Sequence, residues 1–178
     1  MRSFQKKYPD IEIEVFQGTY DDVTYWLKNG VVDLGFLSTS SAKDIPIEPL
    51  WRDPLLCIVP KGMKKEKDTD YMDIEEIRNH QFVTQRESTD ADIQNFLKEN
   101  SINIQSNYHV VDDLSTVAMV ANGFGICLMP QMVMRDIPYE VDCYPVQPYA
   151  ERVIGLATLH PEFLAPAVRS MYLSLIHI

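Results

Sequence analysis

The chain has 178 residues, 46% hydrophobic and 24% charged, enough to bury a core in one domain or two small ones and ordinary for a globular protein. Its 26 acidic against 16 basic residues give a formal net charge of −10, which argues against a nucleic-acid partner, since phosphate backbones reward clustered Lys and Arg. No apolar run reaches the roughly 18–20 residues that span a bilayer, and the opening MRSFQKKYPDIEIEV lacks the apolar stretch of a secretory signal, so the expectation is a cytoplasmic protein with no membrane partner.

Phe4, Tyr8 and the pair Lys6–Lys7 read as the last turns of a helix stopped by Pro9. IEIEVF at 11–16 alternates apolar and acidic residues, the pattern of a strand with one solvated face. Gly18 and Thr19 follow, and Asp22 stands three residues beyond Thr19, close to a capping box. Val23, Trp26 and Leu27 share a face of the next helix, which Gly30 closes. VVDLGFL at 31–37 reads as an apolar strand, completing a βαβ unit and hence a parallel sheet.

After the polar loop 38–44, the proline-broken IPIEPLWRDPLLCIVPKG is an extended crossover at an edge or between lobes. The basic KGMKKEK at 61–67, interrupted by glutamate, reads as a solvated loop. A short helix (MDIEEIRNH), a strand at 81–85 and a helix opened by Ser88, Thr89 and Asp90 come next. NIQSNYHVVDD reads as a strand. A helix then ends at Gly123, a buried strand lies around 126–128, and Pro130 opens a short helix. Two further strands, YEVDCYPV and RVIGLATL, precede a final helix, APAVRSMYLSL. The closing LSLIHI reads either as a translated adapter sequence or as an apolar last turn packing on the first lobe. The order fits an α/β chain of two mononucleotide-binding-like lobes joined by extended crossovers.

Cys57, Cys127 and Cys143 are widely spaced, and the first two sit in apolar runs where a buried free thiol is the natural reading. No Cys/His pair has metal-ligand spacing, so no metal and no cofactor are expected. NGFGIC lacks the third glycine of a dinucleotide loop, and no G-x-S-x-G, H-E-x-x-H or P-loop occurs, so nothing points to an enzyme. His80 and His109 have no readable orienting neighbours, and Trp26, Trp51 and the LMPQMVM stretch read as packing.

FQKKYPDIEIEVFQGTYDDVTYWLKNGVVDLGFL resembles the start of the effector-binding domain of LysR-type transcriptional regulators. There a helix ending F-x-x-x-Y-P leads through a strand, a glycine turn and a helix into G-x-x-D-L-x-[LF]. VDDLSTVAMVANGFGICLMPQMV is similar to the family's second hallmark, V-x-x-G-x-G-[IV]-x-[LIM]-x-P, and the resemblance covers nearly the whole chain. It implies a fold of two Rossmann-like lobes joined by two crossover strands, like the type 2 periplasmic binding proteins. Lobe I would comprise 1–53 and 147–178, and lobe II 54–146, with no DNA-binding domain present. The stretch KGMKKEKDTDYMD replaces the family's usual His-Pro pair. The family's domain also begins with an earlier strand and half-helix, so the chain reads as an N-terminally truncated fragment, with the first strand missing.

Ligands of open α/β sheets sit beyond strand carboxyl ends, at helix N-termini. Three such ends are readable: Gly18–Thr19, Gln85 to Thr89, and Leu114 to Thr116. The resemblance implies that they face one another across an inter-lobe cleft, where Gly18, Thr19, Thr84, Gln85, Ser88 and Ser115 contact an effector. Thr19, Ser88 and Ser115 equally suit simple capping. The effector's charge stays open, because helix N-termini favour anions while Asp21, Asp22, Asp90, Asp92, Asp112 and Asp113 crowd the same ends. Arg86 is the one cation inside a proposed site, and Arg52 lies near the crossover. The expected function is small-molecule sensing for a LysR-type regulator, a homodimer or homotetramer when intact, with no nucleic acid bound by this part. A transporter's solute-binding protein, or less readily an enzyme on the same lobes, is the alternative.

Overall fold

A computed structural model describes residues 2–42, 44–85, 91–104 and 106–176. The chain divides into two compact units, Met1–Trp51 with Val153–Ile178, and Arg52–Arg152.

The first unit opens with helix α1 (Arg2–Lys7), which ends before Pro9 and buries Phe4. Residues 11–16 do not form the strand that their alternation predicts. Ile11 and Ile13 are half-buried between exposed Glu12 and Glu14, so the alternation does set which side faces inward. A strand also needs partners for its backbone groups, and no described strand pairs with this segment.

Helix α2 (Tyr20–Lys28) then buries Leu27 on its inner face. It ends in a Schellman turn: the Gly30 N–H donates to the Leu27 carbonyl (3.2 Å) and the Val31 N–H to that of Trp26 (2.8 Å), with Gly30 at φ +66°. That cap occupies the backbone of residues expected to begin a strand. Strand β1 is accordingly shorter and later, Gly35–Ser38, and it pairs antiparallel with a C-terminal strand, Gly35 opposite Ala157 and Ser38 opposite Ile154. The parallel βαβ unit expected across 11–37 is therefore not present. Leu27, Leu37, Ile45 and Ala157 form the core of this unit.

Strand β2 (Ile47–Pro60) is the extended segment expected from its prolines, and the chain passes from the first unit to the second within it. In the second unit, β3 (Met72–Asp73) leads into α3 (Ile74–Arg78), and β4 (Val83–Gln85) is followed by α4 (Ala91–Glu99). Strand β5 (Tyr108–Val110), helix α5 (Asp113–Ala121), β6 (Cys127–Pro130), β7 (Val141–Gln147) and β8 (Glu151–Ala157) complete it, β8 carrying the chain back to the first unit. There the chain ends in α6 (Pro166–Ile176), whose last turn buries Leu175.

The second unit mixes strand directions. Strand β2 is flanked by antiparallel partners on both sides, Leu56 lying opposite Met129 of β6 and Pro145 of β7. Parallel pairing occurs between β3 and β7 and between β4 and β5. The β4–β5 pair is joined to β6 through a parallel bridge, Phe82 with Ile126. Two apolar clusters form its core, one around Leu55, Cys57, Ile77 and Phe96, the other around Ile58, Val117, Val120 and Met129.

Two sequence expectations are corrected here. Pro130 ends β6 instead of opening a helix, because the chain beyond it stays tied to β2: the Gln131 N–H donates to the Pro54 carbonyl (2.8 Å) and the Met132 N–H to Asp53 Oδ1 (2.8 Å). The short helix is a 3₁₀ turn at Val133–Asp136. Nor is the lysine-rich loop merely solvated. Lys65 donates to the Tyr71 carbonyl (2.7 Å) and lies 4.4 Å from the Tyr144 ring centroid, while Lys67 pairs with Asp73 and Lys61 with Asp142. Three of the loop's four lysines thus have partners within the unit.

Candidate functional site

Two sets of expected contact residues belong to different units, and each is described within its own. In the first unit, Thr19 caps α2 in a complete capping box. Its hydroxyl donates to Asp22 Oδ2 (2.8 Å), its N–H donates to the same oxygen (2.9 Å), and the Asp22 N–H donates back to Thr19 Oγ1 (3.2 Å). These bonds, the one from the Thr19 hydroxyl foremost, hold the Asp22 carboxyl below the ordinary aspartate range. Gly18 serves the same turn: a Cβ there would lie 2.6 Å from the Trp26 ring and 2.8 Å from Asp22 Cβ. The glycine has a steric reason that involves no ligand.

Replacing Thr19 by Ala is expected to destabilise the protein by about 1 kcal/mol at neutral pH. The Asp22 pKa is lowered on folding, so its contribution is present above the ordinary aspartate range and lost as pH falls through the lower folded value. The gap between wild type and Thr19→Ala in urea titrations should therefore shrink on acidification. A gap that does not change with pH would refute the capping-box account.

In the second unit, β4 and β5 run parallel and each leads from its carboxyl end toward a helix, α4 and α5. Thr84, opposite His109 in the register, holds the centre of the pair. Its hydroxyl donates to the Tyr108 carbonyl (3.2 Å) and lies 3.1 Å from His109 Nδ1. Gln85 closes β4 opposite Val110. Ser88, with Arg86, Thr89 and Asp90, lies outside the described residues.

Ser115 is on α5 but does not cap it. Asp112 does: its Oδ1 accepts from the Ser115 N–H (2.8 Å), which is the main reason its carboxyl titrates below the ordinary range. The Ser115 side chain is exposed at the first turn. The sequence suggests Ser115 as a cap, three residues beyond the actual one, because Asp112 and Ser115 are both good capping residues and only backbone geometry chooses between them. His109 was missed as a neighbour of Thr84 because strand register across 25 residues cannot be read from local pattern.

The structure therefore gathers Thr84, Gln85 and His109 on one strand pair, with Ser115 on the helix that follows β5. Gly18 and Thr19 belong to the other unit. Cys57 and Cys127 are buried and free, and burial pushes both thiols well above their ordinary value. Among the described residues, no three His, Cys, Asp or Glu side chains are placed to hold a metal ion, and no helix is long and apolar enough to cross a membrane.

Where α/β proteins bind ligands, they do so beyond strand carboxyl ends that lead to helix starts, as those of β4 and β5 do. The LysR substrate binding domain family matches residues 1–175, and the chain belongs to that family. It is an effector-binding domain of the LysR type, with the two-lobe architecture of type 2 periplasmic binding proteins. Among curated relatives, the HTH-type transcriptional regulator YoaU of Bacillus subtilis (strain 168) is 23% identical over 170 residues, which are 93% of this chain and 56% of that protein. The transcriptional dual regulator GltC of the same organism is 24% identical, the match covering 96% of this chain and 58% of GltC. The chain thus spans a little over half the length of these relatives.

Among solved structures, the effector-binding domain of QuiR in complex with shikimate superimposes with a TM-score of 0.86 at 23% identity, covering 99% of this chain and 86% of that one. The regulatory domain of Synechocystis PCC6803 CcmR in complex with 2-PG gives a TM-score of 0.86 at 17% identity, covering 99% and 87%.

Proposed function

We propose that this domain senses a small-molecule effector on behalf of a cytoplasmic LysR-type transcriptional regulator, and that Thr84, Gln85 and Ser115 of the second unit and Gly18 and Thr19 of the first supply its contacts. The family match over residues 1–175 carries this reading. Support comes from the polar groups collected at the carboxyl ends of β4 and β5, the end at which α/β sheets bind ligands. The effector would act by binding one conformation of the domain better than another, the only way a ligand shifts such an equilibrium. In the intact regulator, a homodimer or homotetramer would pass that shift to DNA-binding domains.

The capping geometry bears on the effector's chemistry. Thr19 commits its hydroxyl proton to Asp22, so it has only a lone pair left to offer. Asp22 and Asp112 already place carboxylates at the starts of α2 and α5. An effector presenting hydroxyl groups suits these ends better than a bare anion, which would meet like charge. The Thr84 hydroxyl is already engaged within the strand pair, with the Tyr108 carbonyl (3.2 Å) and with His109 Nδ1 (3.1 Å).

Shikimate, a hydroxylated carboxylate bound by QuiR, is a rational first probe in a thermal-melt panel of small hydroxy acids. A compound that raises the melting temperature of the wild type in a saturable manner, but not that of Thr84→Val, supports the reading. A stabiliser that acts equally on both proteins removes Thr84 from the site. Turnover of any panel member would replace sensing with catalysis.

A further inference from the structure

A concavity lies in the second unit, away from the proposed effector contacts. The residues that border it stand just before β4 (His80 and Gln81), β5 (Asn107) and β6 (Phe124 and Gly125), so it lies at the amino ends of these strands. Thr84, Gln85 and Ser115 gather beyond the opposite, carboxyl ends of β4 and β5. The volume of about 510 Å³ is that of a small-molecule site. We propose that this concavity is a second ligand site, for an uncharged aromatic ring that carries a carboxamide.

The polar part of the ligand follows from His80. Its ring nitrogen Nε2 is buried and has no hydrogen-bond partner among the described residues. A polar atom left unpaired away from water is costly, and a ligand that pairs it removes the cost. The imidazole turns about a soft side-chain torsion, which brings Nε2 toward the concavity that His80 borders. A ring nitrogen donates or accepts according to its tautomer, so a group able to do both suits it, as a carboxamide is. Gln81 and Asn107 on the same rim carry carboxamides themselves, and amides pair with one another through one donor and one acceptor.

The aromatic part follows from Phe124, which is 45% exposed. It meets Tyr108 edge to face, the centroids 5.4 Å apart at an interplanar angle of 79°. In that arrangement Tyr108 covers at most one face of Phe124, and the other is open to a ring of the ligand. The wall is also preformed, which lowers the cost of binding. The Phe124 N–H donates to the Met119 carbonyl (3.2 Å), and the Ser106 hydroxyl ties the chain beside Asn107 to the Phe82 carbonyl (2.7 Å).

The absence of formal charge on the ligand follows from the lining. Among the described residues, no Asp, Glu, Lys or Arg borders the concavity. A carboxylate or ammonium group would leave water there without a counter-charge, whereas an amide loses only hydrogen bonds that the rim replaces.

Nicotinamide, nicotinate and cyclohexanecarboxamide test these requirements one at a time. Nicotinate exchanges the amide for a carboxylate on the same ring, and cyclohexanecarboxamide keeps the amide without the aromatic ring. In NMR titrations of the wild-type chain, nicotinamide should give saturable shifts at the Asn107, Gly123, Phe124 and Gly125 amides and at the His80 imidazole. The Thr84 and Ser115 amides, at the other end of the strands, should not move with them. The two analogues should each bind at least about three-fold more weakly. Phe124→Leu keeps an apolar residue at an exposed position and should weaken nicotinamide binding roughly three- to ten-fold. Absence of saturable nicotinamide shifts, shifts centred on Thr84 and Ser115, or equal binding of either analogue would overturn the proposal. The wild-type comparison decides even if Phe124→Leu does not fold.

Discussion

Asp53→Ala is expected to cost about 3–5 kcal/mol of stability, the usual loss when one partner of a buried ion pair is removed. The Asp53 side chain is fully buried, and its two oxygens have separate duties. Oδ2 accepts from Arg152 Nε (2.9 Å), joining β2 to the start of β8, and Oδ1 accepts from the Met132 N–H (2.8 Å), joining β2 to the segment after β6. Alanine would remove a carboxylate from beside a guanidinium that is only 14% exposed and leave the Met132 N–H without its acceptor. The neighbouring pair Arg52–Glu151 is the internal control. Arg52 is 76% exposed, so Glu151→Ala, which also removes the acceptor of the Tyr149 hydroxyl, should change stability much less. Urea unfolding of the two variants makes the comparison. The double replacement Asp53→Ala with Arg152→Met should recover much of the loss, because both charges of the buried pair are then gone. A loss in Asp53→Ala no larger than in Glu151→Ala would mean that water or a rearranged side chain satisfies Arg152.

This ion pair also marks where sequence reading stops. The proline-rich run at 45–62 shows that the chain there is extended, and β2 indeed covers Ile47–Pro60. Nothing local shows that Asp53 is the buried polar residue of that run, since its partners lie 79 and 99 residues away. The same division holds through the molecule. Helices with capping residues and an apolar face were legible: α2 from Thr19, Val23 and Leu27, and α5 up to its glycine. Short strands were legible as apolar runs, but their partners were not, and pairing decides whether a run becomes a strand. Residues 11–16 have a good strand pattern and no described partner, whereas 83–85 have a weaker pattern and a partner in β5.

The candidate contacts show the same limit. Thr19 could be read as a cap from Asp22 three residues on, and the capping box is present in full. Thr84 could be placed at a strand end, but its pairing with His109 depends on register. The family resemblance adds what periodicity cannot, namely the expectation that strand ends so distant in sequence serve one ligand.

Gly125→Ala should be among the most damaging single-methyl changes in the chain, and the comparison with Gly123→Ala shows why. Both glycines have positive φ, +80° at 123 and +147° at 125, so alanine is strained at either. At Gly123 a Cβ would meet nothing within 4 Å, and the change should cost only the conformational term of about 1 kcal/mol. At Gly125 the Cβ would stand 2.4 Å from the Gln81 carbonyl oxygen, a main-chain atom that cannot swing aside. That carbonyl accepts the Ile126 N–H (2.8 Å), and the Ile126 carbonyl accepts the Val83 N–H (2.9 Å). These two bonds form the bridge that joins the β4–β5 pair to β6 and the rest of the second unit. Moving Gln81 to admit the methyl would break the bridge, and strain plus lost bonds should total roughly 2–4 kcal/mol. Amide exchange should show the opening at Val83 and Ile126 in Gly125→Ala and not in Gly123→Ala. Because Thr84 sits next to Val83, a domain loosened there should also lose effector response before it loses its fold. Equal destabilisation by the two alanines would mean that backbone strain alone, and not the approach to Gln81, sets the requirement for glycine at 125.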